Sequence, residues 1–280
     1  MPFWMRSTGN WCATPHLLRR ELFWRNESGP VTVNACAALV EAGDPDRFLA
    51  AMAAPAAQRG PLFVLYALNL EVAKAPFVTK EPMIAEMRLQ FWRDVVADAF
   101  AGKAVRAHEV AGPLAEVIRT HDLSEELLDQ MIAARRFDIY GAEAGLDLSA
   151  YLEQTAGHLM VLTGLCCGLK ARNSAFDVGA AMGTALWLRA VPDLARHQKV
   201  AAEDLDSAAL VARAEAALAR LRGARRADFG TARPAVRAAW LTAPVLRQAI
   251  ADPRRVIDGG LGVSEFRRRG GLMWRAALGR

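Results

Sequence analysis

Cysteine is scarce in this chain and poorly placed for metal or disulfide chemistry. The four cysteines stand at 12, 36, 166 and 167, none at C-x-x-C spacing and two of them adjacent. That excludes a disulfide framework and a cysteine metal cluster, and it fits a reducing compartment. Adjacent thiols in an apolar helix are packing residues more often than redox ones. Long apolar runs are also missing. The longest uncharged stretch, QTAGHLMVLTGLCCGL between Glu153 and Lys170, contains His and Gln and falls short of the ~20 residues a spanning helix needs, so it reads as a buried core helix. No stretch alternates polar and apolar residues over a strand's length, and Val and Ile come singly. Internal repeats and linkers are absent. There is no zinc finger, RNP-like strand or basic region followed by heptads, so no nucleic-acid partner is expected. The first thirty residues lack the continuous apolar core of a signal peptide.

What is present is helical. Alanine is abundant in a chain of 280 residues that is 53% hydrophobic and 23% charged, the balance of a folded protein. The formal charge is +5, from 35 basic and 30 acidic residues, and all but five of the basic residues are Arg. The excess permits an anionic partner or membrane surface without requiring one.

Order begins at Asn34, which can cap ACAALVEA; GDPD then starts a short helix with Pro45 in its first turn. Pro55 and Gly60-Pro61 break the pattern, and residues 62–75 form the next helix. EPMIAEMRLQFWRDVVADAFAG reads as a clear helix from Pro82 to Gly102. Further helices are expected at 106–119, after Asp122 or Ser124, from an Asp147 or Ser149 cap to Gly168, at 174–191 before Pro192, at 204–222, and at 234–241 and 244–250. The expected organisation is a poorly ordered or mis-annotated extension over 1–33, with translation starting near Val31, then a single all-α domain over 34–251. A flexible Gly/Arg-rich tail over 252–280 follows.

Few residues suggest chemistry. Asp94 and Asp98 lie four apart on one helix, a spacing that can hold Mg²⁺ against a diphosphate and equally suits a solvated face or partners for Arg88 and Arg93. Arg88 offers a planar fork for diphosphate or carboxylate. In ARRFD, burial of Arg135, Arg136 and Asp138 would require them to pair with one another. His158 sits in an apolar helix, where a core role outweighs acid–base work. Asn69 and Glu71 are the strongly polar groups between Tyr66 and Lys74, and they point to successive faces.

Together, PLFVLYALNLEVAKA, MRLQFWRD, RRFDIY and YLEQTAGHLMVL resemble, in order and spacing, the squalene/phytoene synthase family over about Leu62 to Val191, with weaker likeness to about 250. The resemblance implies an all-α isoprenoid-synthase-type bundle that, in its enzymes, joins prenyl diphosphates using Mg²⁺. It also implies a pocket that here would draw on Tyr66, Asn69, Lys74, Arg88, Asp138, Tyr151 and His158. The family's two acidic motifs do not match: AKAPF stands at Ala73–Phe77, and ALWLRAVPDLAR places Leu188 and Pro192 where Asn and Asp are expected. Asp193 is left out of register, and Pro192 is expected to end its helix. Within the family, the lost acids, Asn-Leu-Glu and LRAVP are similar to a divergent subgroup related to a mitochondrial respiratory complex I assembly factor. That likeness implies a non-catalytic protein without a cofactor, in the cytoplasm and peripheral on the inner face of the membrane. Its partner would be a respiratory complex subunit or assembly protein, and FRRRGGLMWRAALGR could add membrane attraction. Two alternatives stand beside it. One is a prenyl diphosphate transferase with a reorganised Mg²⁺ site of Glu71, Asp94 and Asp98; the other binds a prenyl lipid or quinone.

Overall fold

A helix buried on every side requires neighbours on every side, and Leu62 to Leu70 are buried without a break, apolar but for Asn69 and the Tyr66 hydroxyl. The computed structural model describes residues 33–278 and makes them the centre of the bundle. The expectations for residues 1–32 lie outside the described residues. In chain order the main helices are α1 (Val33–Gly43), α2 (Pro45–Met52), α3 (Ala56–Lys74), α4 (Pro82–Phe100), α5 (Ala111–Thr120) and α6 (Glu125–Ala133). They continue with α7 (Leu148–Leu152), α8 (His158–Leu165), α9 (Arg172–Arg196), α10 (Ser207–Ala224), α11 (Thr242–Ala251) and α12 (Glu265–Ala277). No strand occurs among the described residues, and the all-α class stands.

Local chemistry sets most helix starts. Asp44, Ser124 and Asp147 each turn a side-chain oxygen onto a backbone N–H three residues on, at 2.9, 3.3 and 2.7 Å. Two prolines behave otherwise than expected. Pro61 lies inside α3 rather than before it. The carbonyl it deprives, that of Ala57, sits on an exposed first turn where water can serve. Pro192 lies inside α9, which runs on to Arg196 instead of stopping. Burial of Leu188 and Val191 on the same helix offsets the ~3 kcal/mol preference against interior proline.

The segment after Asp252 also departs from the loose tail expected. Val256, Leu261 and Leu272 are buried, Ser264 caps α12, and Gln248 exchanges two hydrogen bonds with the backbone of Gly262. Arg268 reaches back to Asp46 on α2, which also receives Arg189. In the sequence the few apolar anchors are masked by the Gly and Arg around them, although the helix they form is amphipathic.

Helix α9 forms the spine, packing on α8, α10 and α11. Between α7 and α8 the chain makes a wide π turn over Glu153–Gly157, and α9 crosses it at close range. Gly179 makes the approach possible: a Cβ there would lie 2.5 Å from the Ala156 carbonyl oxygen and 2.9 Å from Gly157 Cα. At Gly183 a Cβ would meet that of Ala156 at 2.7 Å.

Candidate functional site

A central cleft opens beside this crossing. Its walls come from the start of α2, the middle of α3, the 134–141 turn, the π turn and the last third of α9. Asp44, Arg47, Asn69, Arg135, Asp138, Tyr151 and Lys199 supply its polar groups, and Phe77, Phe137, Trp187 and Leu194 are among its apolar ones.

These polar groups neutralise one another. Arg135 donates to Asp138 at 3.3 Å, to the Tyr151 hydroxyl at 2.8 Å and to the Asn69 carbonyl oxygen at 3.2 Å. The Tyr151 hydroxyl in turn donates to Asp138 at 2.9 Å, and its ring stacks on Phe137 at 4.8 Å. Lys199 donates to the Asp138 backbone carbonyl at 3.0 Å. Arg47 pairs with Asp44 at 3.2 Å and lies over the Tyr66 ring. Burial pushes the Asp44 and Asp138 carboxyls up, and their arginines pull them back towards the charged form. Burial likewise pushes the Tyr151 hydroxyl up, so it stays a proton donor. The space left measures ≈ 120 Å³, well under the roughly 300–1,000 Å³ of small-molecule pockets. Arg47 and Arg135 each retain a buried Nε–H without a partner among the described residues, groups that suit ordered water.

Of the pocket residues read from sequence, Asn69, Asp138 and Tyr151 line the cleft and Tyr66 lies one layer behind Arg47. Lys74 is instead tied to Glu71 at 3.1 Å, and Arg88 is exposed. The structure does not assemble Glu71, Asp94 and Asp98 into a metal site. Asp94 accepts from Gln90 at 2.7 Å and from Arg106 at 3.2 Å, Asp98 faces Lys103 at 3.7 Å, and none of the three lines the cleft. Among the described residues no group of three or more His, Cys, Asp or Glu could hold a metal ion. Asp193 is buried and paired to Arg196. Arg135 and Asp138 pair as ARRFD suggested, but Arg136 turns outward to Glu86 at 2.7 Å. Asp44, Arg47 and Lys199 were missed. A near-neighbour Asp-x-x-Arg was the available signal for the first two, and nothing local marks Lys199.

His158 faces Phe176 at 5.6 Å, away from the cleft, and its Nδ1 is buried without a partner among the described residues. Burial holds this imidazole below its usual range, against weaker pulls from Glu126 and Glu153. The unfolded chain therefore takes up a proton that the folded chain resists. The stability this contributes is present above about pH 6.5 and is lost as pH falls towards the folded value, by up to about 1.4 kcal/mol per pH unit. His158→Gln is expected to flatten part of the fall in urea midpoint between about pH 6.5 and 5. An unchanged slope would assign that fall to other groups. The described cysteines are inert: burial pushes Cys36 and Cys167 to about 11 and Cys166 to about 12.

A helical bundle closed around one polar cleft is the isoprenoid-synthase type of fold. A dehydrosqualene synthase solved in complex with ligand superposes with a TM-score of 0.68 at 16% identity, covering 88% of this chain and 95% of that one. A squalene synthase from Alicyclobacillus acidocaldarius gives 0.60 at 17%, covering 82% and 95%. At those identities the likeness is one of fold. The squalene/phytoene synthase family profile matches residues 40–267, and the chain belongs to that family. Among its relatives, the complex I assembly factor 6 homolog of Drosophila melanogaster is 31% identical over 172 residues, 58% of this chain and 52% of that protein. NADH dehydrogenase (ubiquinone) complex I, assembly factor 6 of Homo sapiens is 29% identical over 174 residues, 60% and 52%. The chain thus spans about half the length of the curated relatives it matches.

Proposed function

We propose that this protein is a non-catalytic member of its family that serves the assembly of a membrane respiratory complex. The observation that carries the reading is the cleft itself: Asp44 and Asp138 are each bound to their own arginine, and ≈ 120 Å³ is left between them. Ionising a prenyl diphosphate calls for several carboxylates that position metal around the leaving group. Here the two acidic-motif positions hold Ala73–Phe77 and Leu188–Pro192. The names of the relatives supply the direction, and a complex subunit or another assembly protein is the partner we infer. We place it in the cytoplasm, at the inner face of the membrane. No described helix is long and apolar enough to cross one, but α12 exposes Phe266, Met273 and Trp274 among Arg267, Arg269 and Arg275, a composition suited to a surface.

Purified protein given farnesyl diphosphate and Mg²⁺, at protein concentrations comparable with substrate, is expected to release no diphosphate. Release that disappears in Asp94→Asn or Asp98→Asn would overturn the reading and restore the Mg²⁺-dependent transferase. Deletion of the gene is expected to lower assembled NADH:quinone oxidoreductase in membranes, with recovery on re-expression of the wild type or of Asp94→Asn. Normal assembly in the deletion strain would remove the assembly role.

A further inference from the structure

A second cavity, sharing no residue with the central cleft, lies between α10, the 227–240 segment and α12. Its volume of ≈ 550 Å³ falls within the roughly 300–1,000 Å³ of small-molecule sites. Four arginines line it, at 225, 233, 237 and 275, and no carboxylate does. Arg233 is paired with Asp228 at 3.3 Å, and Arg237 donates to the Ala53 carbonyl at 3.0 Å. The side chains of Arg225 and Arg275 form no hydrogen bond or ion pair with another described residue. Partial desolvation against the cavity wall, and then repulsion from neighbouring arginines, holds both guanidiniums below their ordinary range. Like charges gathered beside apolar walls call for a counter-charge. The walls add Phe229, Trp240 and Trp274. Trp240 is 3% exposed, yet its indole N–H is buried without a partner among the described residues. An N–H in that state is a donor awaiting an acceptor.

The geometry points to a binding site for a phosphate ester joined to an apolar body: guanidiniums take the phosphate, the indole N–H adds a donor, and the aromatic walls take the rest. Guanidinium forks match phosphate oxygens well, and aromatic faces suit an apolar chain. An acidic phospholipid and a soluble organophosphate share this chemistry. The site shares Trp274 and Arg275 with the surface side of α12, but the Asp44 and Asp138 pairs that carry the assembly reading lie outside it.

The test is calorimetric titration of the full-length protein with dihexanoyl phosphatidic acid as dispersed monomer. Wild type is compared with Arg225→Gln/Arg275→Gln, with Trp240→Phe, and with Arg119→Gln/Arg172→Gln, a pair of equal charge change that lines no part of the cavity. Arg225 is exposed and Arg275 half-exposed, so the first pair is compatible with folding, checked by circular dichroism. The expected result is binding weakened at least tenfold in Arg225→Gln/Arg275→Gln, several-fold in Trp240→Phe, and unchanged in the control pair. Parallel arms use inorganic phosphate and phosphatidylcholine vesicles with and without phosphatidylglycerol. Binding to short-chain phosphatidic acid and to phosphatidylglycerol vesicles, but not to phosphate, supports the site with a lipid occupant. Equal binding of inorganic phosphate, lost in the same variant, supports it with a soluble one. Failure of the wild type to bind any of these probes, full affinity in Arg225→Gln/Arg275→Gln, or an equal loss in the control pair would overturn it.

Discussion

Arg135→Ala is expected to cost the fold about 3–5 kcal/mol, the range for removing one partner of a buried ion pair. The substitution leaves Asp138 inside the bundle with the Tyr151 hydroxyl and the weaker pull of Lys199 to compensate its charge, and it strips Asn69 of its donor. A loss of that size consumes much of the ~5–15 kcal/mol that holds a domain folded, so the variant is expected to unfold at far lower urea. Arg135→Met/Asp138→Asn should recover most of the loss, because no buried charge remains and Tyr151 keeps an acceptor. The urea midpoints of wild type, Arg135→Met, Asp138→Asn and the double variant form the cycle. Simple additivity would mean that Lys199 or water already compensates Asp138, and that the pair is not the organising element of the cleft.

The second large effect is steric. Gly179→Ala would place a methyl carbon 2.5 Å from a backbone oxygen and 2.6 Å from Met160 Cβ, and neither can swing away as a flexible side chain would. Helix α9 must lift off the π turn, and overpacking of this kind costs about 1–3 kcal/mol or more. Gly223→Ala is the matched control. It lies in α10 with nothing within 4 Å of its added carbon, so better helix propensity should leave stability unchanged or raise it by up to about 1 kcal/mol. Equal thermal midpoints for the two variants would show that α9 does not rely on contact at the glycine.

The helices were legible because their signals are local. Asp44, Ser124 and Asp147 act within three residues of themselves, and the Pro82–Phe100 helix follows from its own period. What escaped depends on residues far apart in the chain. Pro192 is tolerated because of burial contributed by other segments, and α12 is held by Arg268 reaching back to Asp46. The site divides the same way. Asn69, Asp138 and Tyr151 came with the family wording, which mixes packing with chemistry: the Ala156-Gly157 pair in it receives the α9 crossing. Asp44 and Arg47 were visible as a helix start, but nothing near them in sequence tells that they face Arg135 across a cleft. Lys74 and Arg88 looked like ligands because they occupy family positions, and the structure gives them a local partner and solvent instead.

The cleft's own ion pairs also bear on how this fold could be redesigned. A site that awaits a metal is incomplete alone: its acids repel until the cation arrives, and activity is set against stability. This cleft is already complete, with Asp44 and Asp138 each committed to a guanidinium. A new acid at Lys74 would stand beside Glu71 and cost it its lysine, and one at Pro192 would stand beside the buried Asp193, so neither would complete a site by itself. Rebuilding a synthase on this scaffold thus means dismantling a finished network first, through several simultaneous substitutions whose intermediates are less stable than either end. The route back to chemistry runs uphill.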